Sequence, residues 1–141
     1  MAMTAPRQMT YGLRVTTDLS YDAAIEQMKA ALKEQGFGVL TEIDVKRTLK
    51  EKKDIDFRRY VILGACNPGF AARALSTEID IGLLLPCNVV VYETDDGAVV
   101  ETIDPIVTLG RVQNPALEPL GAEVKDALMK ALGSLPAKKK G

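Results

Sequence analysis

The run Cys87–Glu93, CNVVVYE, constrains this chain more than any other stretch. Three consecutive valines and a tyrosine offer no polar side. A strand made of them must be buried on both faces, which makes it a central strand of a sheet. A second β-rich run, Arg59–Cys66 (RYVILGAC), lies upstream. Asn67-Pro68 ends it. Asn is a preferred helix N-cap, because its side-chain oxygen accepts a free backbone N–H of the first turn. Pro is favoured at the first helical position, where its missing N–H costs nothing. A helix is therefore predicted from Pro68 to about Glu78, with Ala71, Ala74, Leu75 and Ile79 as its buried stripe and Gly82 as its stop. Read as a crossover, this strand–helix–strand unit puts the two strands parallel, or at least in one sheet. Cys66 then ends one strand and Cys87 begins the next, at opposite ends of the sheet and about 15 Å apart. A disulfide requires Cα atoms within about 7 Å. Two free thiols are expected.

At 141 residues the chain suits one domain with a real core. A net charge of −1 gives no electrostatic reason to expect nucleic acid or a membrane as partner. No aromatic–basic cluster of the kind that stacks bases is visible. The N-terminal MAMTAPRQM lacks the apolar core of a signal peptide, and a cytoplasmic location is the default expectation. Histidine is absent. That excludes a Ser-His-Asp triad, a Cys-His pair and His-containing metal sites. Two cysteines cannot make a Cys₄ zinc site within one chain. No cofactor, no metal site and no catalytic residue is expected.

In chain order, residues 1–9 read as a flexible leader. Thr10–Thr16 reads as a strand, with Tyr11, Leu13 and Val15 on one face. Ser20 caps a helix whose stripe is Tyr21, Ile25, Met28 and Leu32, and Gly36 follows its last turn. Phe37–Val45 is the second strand, with Val39, Thr41, Ile43 and Val45 on one face and Glu42 and Asp44 on the other. Lys46–Asp56 is densely charged. Asp44 would cap a short helix through Lys53, touching the core at Val45 and Leu49. The segment is a solvated surface or, on the sharper reading, a basic anion-binding patch. Beyond the valine strand, Asp96-Gly97 signals a hairpin with a type I′ turn. Ala98–Ile103 returns, Asp104-Pro105 closes that strand, and Ile106–Asn114 reads as a loop with an extended piece. Pro119 opens the last helix, whose stripe is Leu120, Val124, Leu128 and Leu132, widened by Ala127 and Ala131. Residues 134–141 read as a disordered basic tail. The order β-α-β-(α)-β-α-β-β-α over residues 10–133 predicts a single α+β domain. Its sheet would be mixed or mainly antiparallel, with helices packed on one face.

LGACNP at 63–68 and GLLLPCNVVVYE at 82–93 together resemble the family called domain of unknown function 302. The charged TLKEKKDIDF segment and the late Asp104-Pro105 fit as well. The resemblance spans Tyr11 to Leu132. It implies a small α+β fold that tends to form homodimers. It implies no established activity and transfers no catalytic residue.

The candidate ligand-binding residues are Cys66, Asn67, Gly69, Phe70 and Cys87. The N–H groups of Gly69 and Phe70 and the positive helix end favour an anion or a thiolate at Cys66. Asn67 would occupy one of those amides. Against this stands a plain packing role for both cysteines, among the most buried residue types. Cys87, with no helix end beside it, should be the less reactive thiol. Glu93 and Glu101 lie near facing positions on the hairpin, where paired carboxylates serve acid–base chemistry or simply face solvent. Three functional readings are open: a protein binding a small molecule or anion at the CNPG helix start, a homodimeric structural or interaction module, and a thiol enzyme using Cys66. The last is the weakest, since no general base is visible. The expected partners are a second copy of the chain and a small molecule, with neither nucleic acid nor membrane. The homodimer expectation has its own physical basis. Helices on one side of the sheet leave the other face of the valine-rich hairpin as an apolar patch.

Overall fold

The valine-rich run sits where its composition requires. In the computed structural model, which describes residues 5–139, it forms the strand Cys87–Thr94 in the middle of a sheet. The strands are β1 (Arg7–Gln8), β2 (Gly12–Thr17), β3 (Gly38–Asp44), β4 (Tyr60–Cys66), β5 (Cys87–Thr94) and β6 (Gly97–Ile103). Their order is β1-β2-β6-β5-β4-β3, and every neighbouring pair is antiparallel. The helices are α1 (Tyr21–Glu34), α2 (Val45–Lys53), α3 (Pro68–Thr77), α4 (Pro105–Gly110) and α5 (Glu118–Gly133). The fold is α+β. α1 and α5 pack on each other and on one face of the sheet, and α3 packs beside α5. Leu13 and Val15 of β2, Leu63 of β4, Val89 and Val91 of β5 and Val100 of β6 meet Met28 and Leu32 of α1 and Leu128 and Leu132 of α5 in the core. Among the described residues no helix is long and apolar enough to cross a membrane.

β4 and β5 are not the parallel pair of a crossover. They are antiparallel neighbours, with Ala65 opposite Cys87 and Tyr60 opposite Tyr92. The cause is the path of the chain beyond α3. The helix ends at Thr77, a 3₁₀ turn covers Ile79–Leu84, and Leu85-Pro86 returns the chain to the end of the sheet that β4 left. Cys66 and Cys87 are therefore at the same end, and the long separation expected between them does not exist. Both are free thiols. The change of helix type also alters the buried stripe. Ala74 and Ile81 are buried, whereas Ile79 is 77% exposed and Leu75 lies at the surface.

Other differences have local causes. A bulge at Leu40 separates Val39 from Thr41 and Ile43. One extra residue flips the alternation, so Val39 faces the helices opposite Ala65 while Ile43 lies opposite Ile62 on the far side. The β5–β6 loop is Asp95-Asp96, with Thr94 opposite Gly97. No residue there has positive φ, so the turn is not type I′. Gly97 is required for another reason: a Cβ at that position would run into the Thr17 carbonyl. The stretch read as a loop after β6 contains α4. Asp104 caps it through the Ile106 N–H at 3.0 Å, with Pro105 at the first position. The described parts of the expected leader and tail are both tied down. Arg7 and Gln8 pair with Arg14 and Leu13. At the other end Leu135 is buried, the Lys138 N–H donates to the Thr16 carbonyl at 2.7 Å, and Lys138 pairs with Asp96 at 2.9 Å. Residues 1–4 and 140–141 of those two segments lie outside the described residues.

Asp104 joins three of these elements. Its carboxylate is buried and accepts from Gln8 Nε2 at 2.7 Å, Lys125 Nζ at 3.0 Å and the Ile106 N–H. Burial alone would raise its pKa. The bonds from Gln8, Lys125 and Ile106, with the charge of Lys125, outweigh that and hold the carboxyl below its ordinary value. A depressed native pKa adds stability that is present above the unfolded value of about 3.9 and is lost as pH falls through the native value. Asp104→Ala is expected to cost about 2 kcal/mol, combining a lost cap with a stranded partner. In urea unfolding it should also flatten the acid limb of the stability–pH curve. An unchanged acid limb would remove Asp104 from this role.

Candidate functional site

At the end of the sheet where β4 stops, the chain must turn into α3 and satisfy that helix's first N–H groups. Asn67 does this alone. Its Oδ1 accepts from Gly69 N–H at 3.1 Å and Phe70 N–H at 3.2 Å, while the Ala71 N–H bonds the Asn67 carbonyl at 2.9 Å. Pro68 has no N–H to offer. Asn67 Nδ2 donates to the Gln35 carbonyl at 3.2 Å, fastening the α3 start to the end of α1. Gly36 makes room for it. Its φ is +83°, and a Cβ there would press on Asn67 Nδ2. Asn67 thus takes both amides, not one. An anion or thiolate could reach them only by displacing the Asn67 side chain.

The residues singled out from the sequence mostly converge. Cys66, Asn67, Phe70 and Cys87 line one cavity of about 50 Å³, whereas Gly69 does not face it. The wall is completed by Phe37, Ala71, Ala74, Leu85, Leu109 and Leu120 among others, and among the described residues it includes no charged side chain. Phe37 and Phe70 form a tilted ring pair with centroids 6.2 Å apart. Both thiols are half-buried. Burial pushes the Cys87 thiol up to about 11, and the neighbouring Cys66 adds to the rise. Leu109 and Leu120 come from α4 and α5, and sequence reasoning missed them. A signal for the helix existed: Asp104-Pro105 repeats the helix-start chemistry of Asn67-Pro68, although its place beside the cavity comes from the fold.

The carboxylate pair does not form. Glu101 stands opposite Val90 and Glu93 opposite Ala98. Each carboxylate is held by its own arginine, Glu93 by Arg59 at 2.6 Å and Glu101 by Arg14 at 2.8 Å. In the charged segment Arg47 pairs with Glu51 at 2.9 Å, and Lys50 with Asp54 at 2.9 Å and Asp56 at 3.1 Å. These cations answer acids of the same segment. Among the described residues no three His, Cys, Asp or Glu side chains are grouped to hold a metal ion. A larger groove of about 450 Å³ runs between α4 and α5, but among the described residues Glu118 is the one ionisable group in its lining.

The sequence matches the family model described as "Domain of unknown function DUF302" over residues 13–135. The chain belongs to the DUF302 family. A crystal structure of an uncharacterised conserved DUF302 protein from Bacillus stearothermophilus is similar in fold, with a TM-score of 0.82 and 33% sequence identity. The similarity covers 88% of this chain and 97% of that one. No curated protein matches the sequence. Family membership accounts for the α+β architecture of this DUF302 chain and leaves its activity open.

A raised thiol pKa keeps Cys87 protonated at neutral pH, and the thiolate is the nucleophile. Iodoacetamide labelling of the folded protein, followed by peptide mapping, should therefore show Cys87 modified more slowly than Cys66 at pH 7. The Cys87 rate should climb steeply as pH approaches about 11. Faster modification of Cys87 at neutral pH would contradict its burial.

Proposed function

We propose that this DUF302 protein binds a small ligand in the cavity between α3 and the start of β5. One observation carries the reading. Segments distant in sequence converge on a mostly apolar space whose lining includes Cys66 and Cys87, both free of disulfides, and no charged side chain among the described residues. The size of the space bounds the ligand. Pockets for drug-sized molecules run to about 300–1,000 Å³, and about 50 Å³ is far below that. The ligand is therefore a small molecule or an ion. The occupied amides of Gly69 and Phe70 speak against an anion. A hard charged ligand would lose its hydration with no opposite charge to compensate. Xenon is a fitting reporter, since dry apolar cavities take it up. Under xenon pressure, methyl resonances of Ala71, Ala74 and Leu85 should shift saturably, and Ala71→Leu should abolish the response. Shifts scattered over the surface, or none at all, would sink the proposal.

A homodimer is a second reading, and the far face of the sheet favours it. That face carries Ile43, Ile62, Val90 and Tyr92, alternating with residues that point at the helices. Tyr60 and Tyr92 stack there with centroids 5.6 Å apart and planes 5° apart. α1 and α5 lie on the opposite side. The Arg14–Glu101 pair also lies on this face, and Phe57 and Arg58 pack against Tyr60 and Tyr92 at one end of it, but α1 and α5 leave it open. An exposed sheet face commonly marks an interaction surface, and a twofold copy is the commonest cover. Sedimentation velocity should give a dimer, and Val90→Glu should yield a folded monomer. A wild-type monomer at tens of micromolar, about the range where weak dimers still associate, would rule the reading out.

A further inference from the structure

We propose a second binding site, in the groove between α4 and α5, for a small organic cation: a primary ammonium carried on a hydrocarbon chain or ring. The wall of the groove comes from α4, the turn after it, the 3₁₀ turn Pro115–Leu117 and the start of α5. The space is about 450 Å³, within the range of about 300–1,000 Å³ usual for small-molecule pockets. Two glycines keep it open. Gly110 and Gly121 both line it, and a Cβ at Gly110 would meet no atom within 4 Å. Leu109 lines both this groove and the smaller cavity, so the two spaces adjoin.

The lining selects the ligand. Ile106, Leu109 and Leu117 give an apolar wall, and Ile106 is 49% exposed. A hydrocarbon laid against them would take that surface out of water, which is favourable in proportion to its area. The polar groups differ in what they already hold. Asn114 is engaged at both ends, its Oδ1 accepting from the Ala116 N–H at 3.0 Å and its Nδ2 donating to Glu78 at 3.3 Å. Glu118 is the one charged side chain in the lining, and among the described residues its carboxylate has no cation beside it. Gln113 adds a side-chain amide with no partner among the described residues. An ammonium has three donors and no acceptor, so a carboxylate and an amide oxygen answer it. Other ligand classes fit less well. A carboxylate or phosphate finds no cation in the described lining. Calcium needs about six to eight oxygen ligands, against one carboxylate here. A quaternary ammonium is held by aromatic rings, and the described lining has none. Glu118 also stands in the first turn of α5, where a carboxylate favours the helix. That role alone would need no cation, and it would leave the choice between ligands unaffected.

The test titrates the full-length protein with hexylamine, hexanol and hexanoate, which share a chain and differ in the head group, and follows methyl resonances by NMR. The methyls of Ile106, Leu109 and Leu117 should shift saturably. Hexylamine should bind about two- to fivefold more tightly than hexanol, the size of an exposed ion pair, and hexanoate should bind most weakly. The amine preference should shrink at about 1 M salt, where charges are screened within about 3 Å. Glu118→Gln should abolish that preference and leave hexanol binding unchanged. Gly110→Phe, checked for folding by circular dichroism, should fill the open space and weaken amine and alcohol alike. Nα-acetyl-lysine methylamide has a stem of about four carbons, covers less of the apolar wall and should bind more weakly than hexylamine. Tighter binding of the lysine analogue would put a protein lysine in the groove and overturn the assignment to a free amine. Equal binding of amine and alcohol overturns the proposal, as does an amine preference that survives Glu118→Gln. Absence of saturable shifts at the three methyl-bearing residues overturns it too. The xenon response of Ala71 and Leu85 reads the smaller cavity separately, so either site can fail while the other stands.

Discussion

Backbone pairing of β5 with β4 on one side and β6 on the other is the constraint on which the structure depends. The two ladders bury the N–H and C=O groups of the most apolar strand. They also decide where its side chains go. Val89 and Val91 point at α1 and α5 and are wholly buried. Val90 and Tyr92 point the other way, to a face that neither α1 nor α5 covers. A half-covered sheet is the direct result of a strand that is apolar on both sides in a chain whose longest helices, α1 and α5, share one side. The same pairing brings Cys87 level with Ala65, and this alone makes neighbours of two cysteines that sit far apart in sequence.

The helix starts show a second economy of means. Ser20, Asp44, Asn67 and Asp104 each supply a side-chain oxygen to the first turn of the helix beyond, and two of the four precede proline. At Asn67 and Asp104 the capping side chain does more than cap. Asn67 reaches back to the Gln35 carbonyl, and Asp104 holds Gln8 and Lys125. Each cap is thereby a tertiary contact that fixes where its helix begins relative to the sheet. Once the Asn67 oxygen has both amides, the α3 start has little left for an anion.

The elements themselves are largely legible in the sequence. α1 announces its cap and its stripe, and the stripe of α5 from Leu120 to Leu132 is buried as its spacing requires. The central place of β5 can be read from three valines. The parts that the sequence misleads on share a cause. Helical spacing carried past Thr77 puts Ile79 in the core, but a 3₁₀ turn there changes the phase. Plain alternation puts Val39 with Ile43, and nothing local marks the bulge at Leu40. α4 looks like a loop because six residues are too few for periodicity to speak.

The sequence by itself determined which residues seek burial, where α1, α2 and α3 start and that no histidine chemistry is available, because these rest on side-chain identity and local spacing. The sense of the β4–β5 connection was decided only in three dimensions. A helix between two strands can cross the sheet or return on itself, and both leave the same local pattern. The choice depends on whether the 3₁₀ turn over Ile79–Leu84 brings Cys87 back to the end β4 left, or carries it to the other. Pairing energy between distant segments settles that, and it has no signature within either segment. The candidate site hangs on that choice. Read as a crossover, the sequence puts the cysteines at opposite ends of the sheet; with the strands antiparallel, they share a cavity that α4 and α5 help to close.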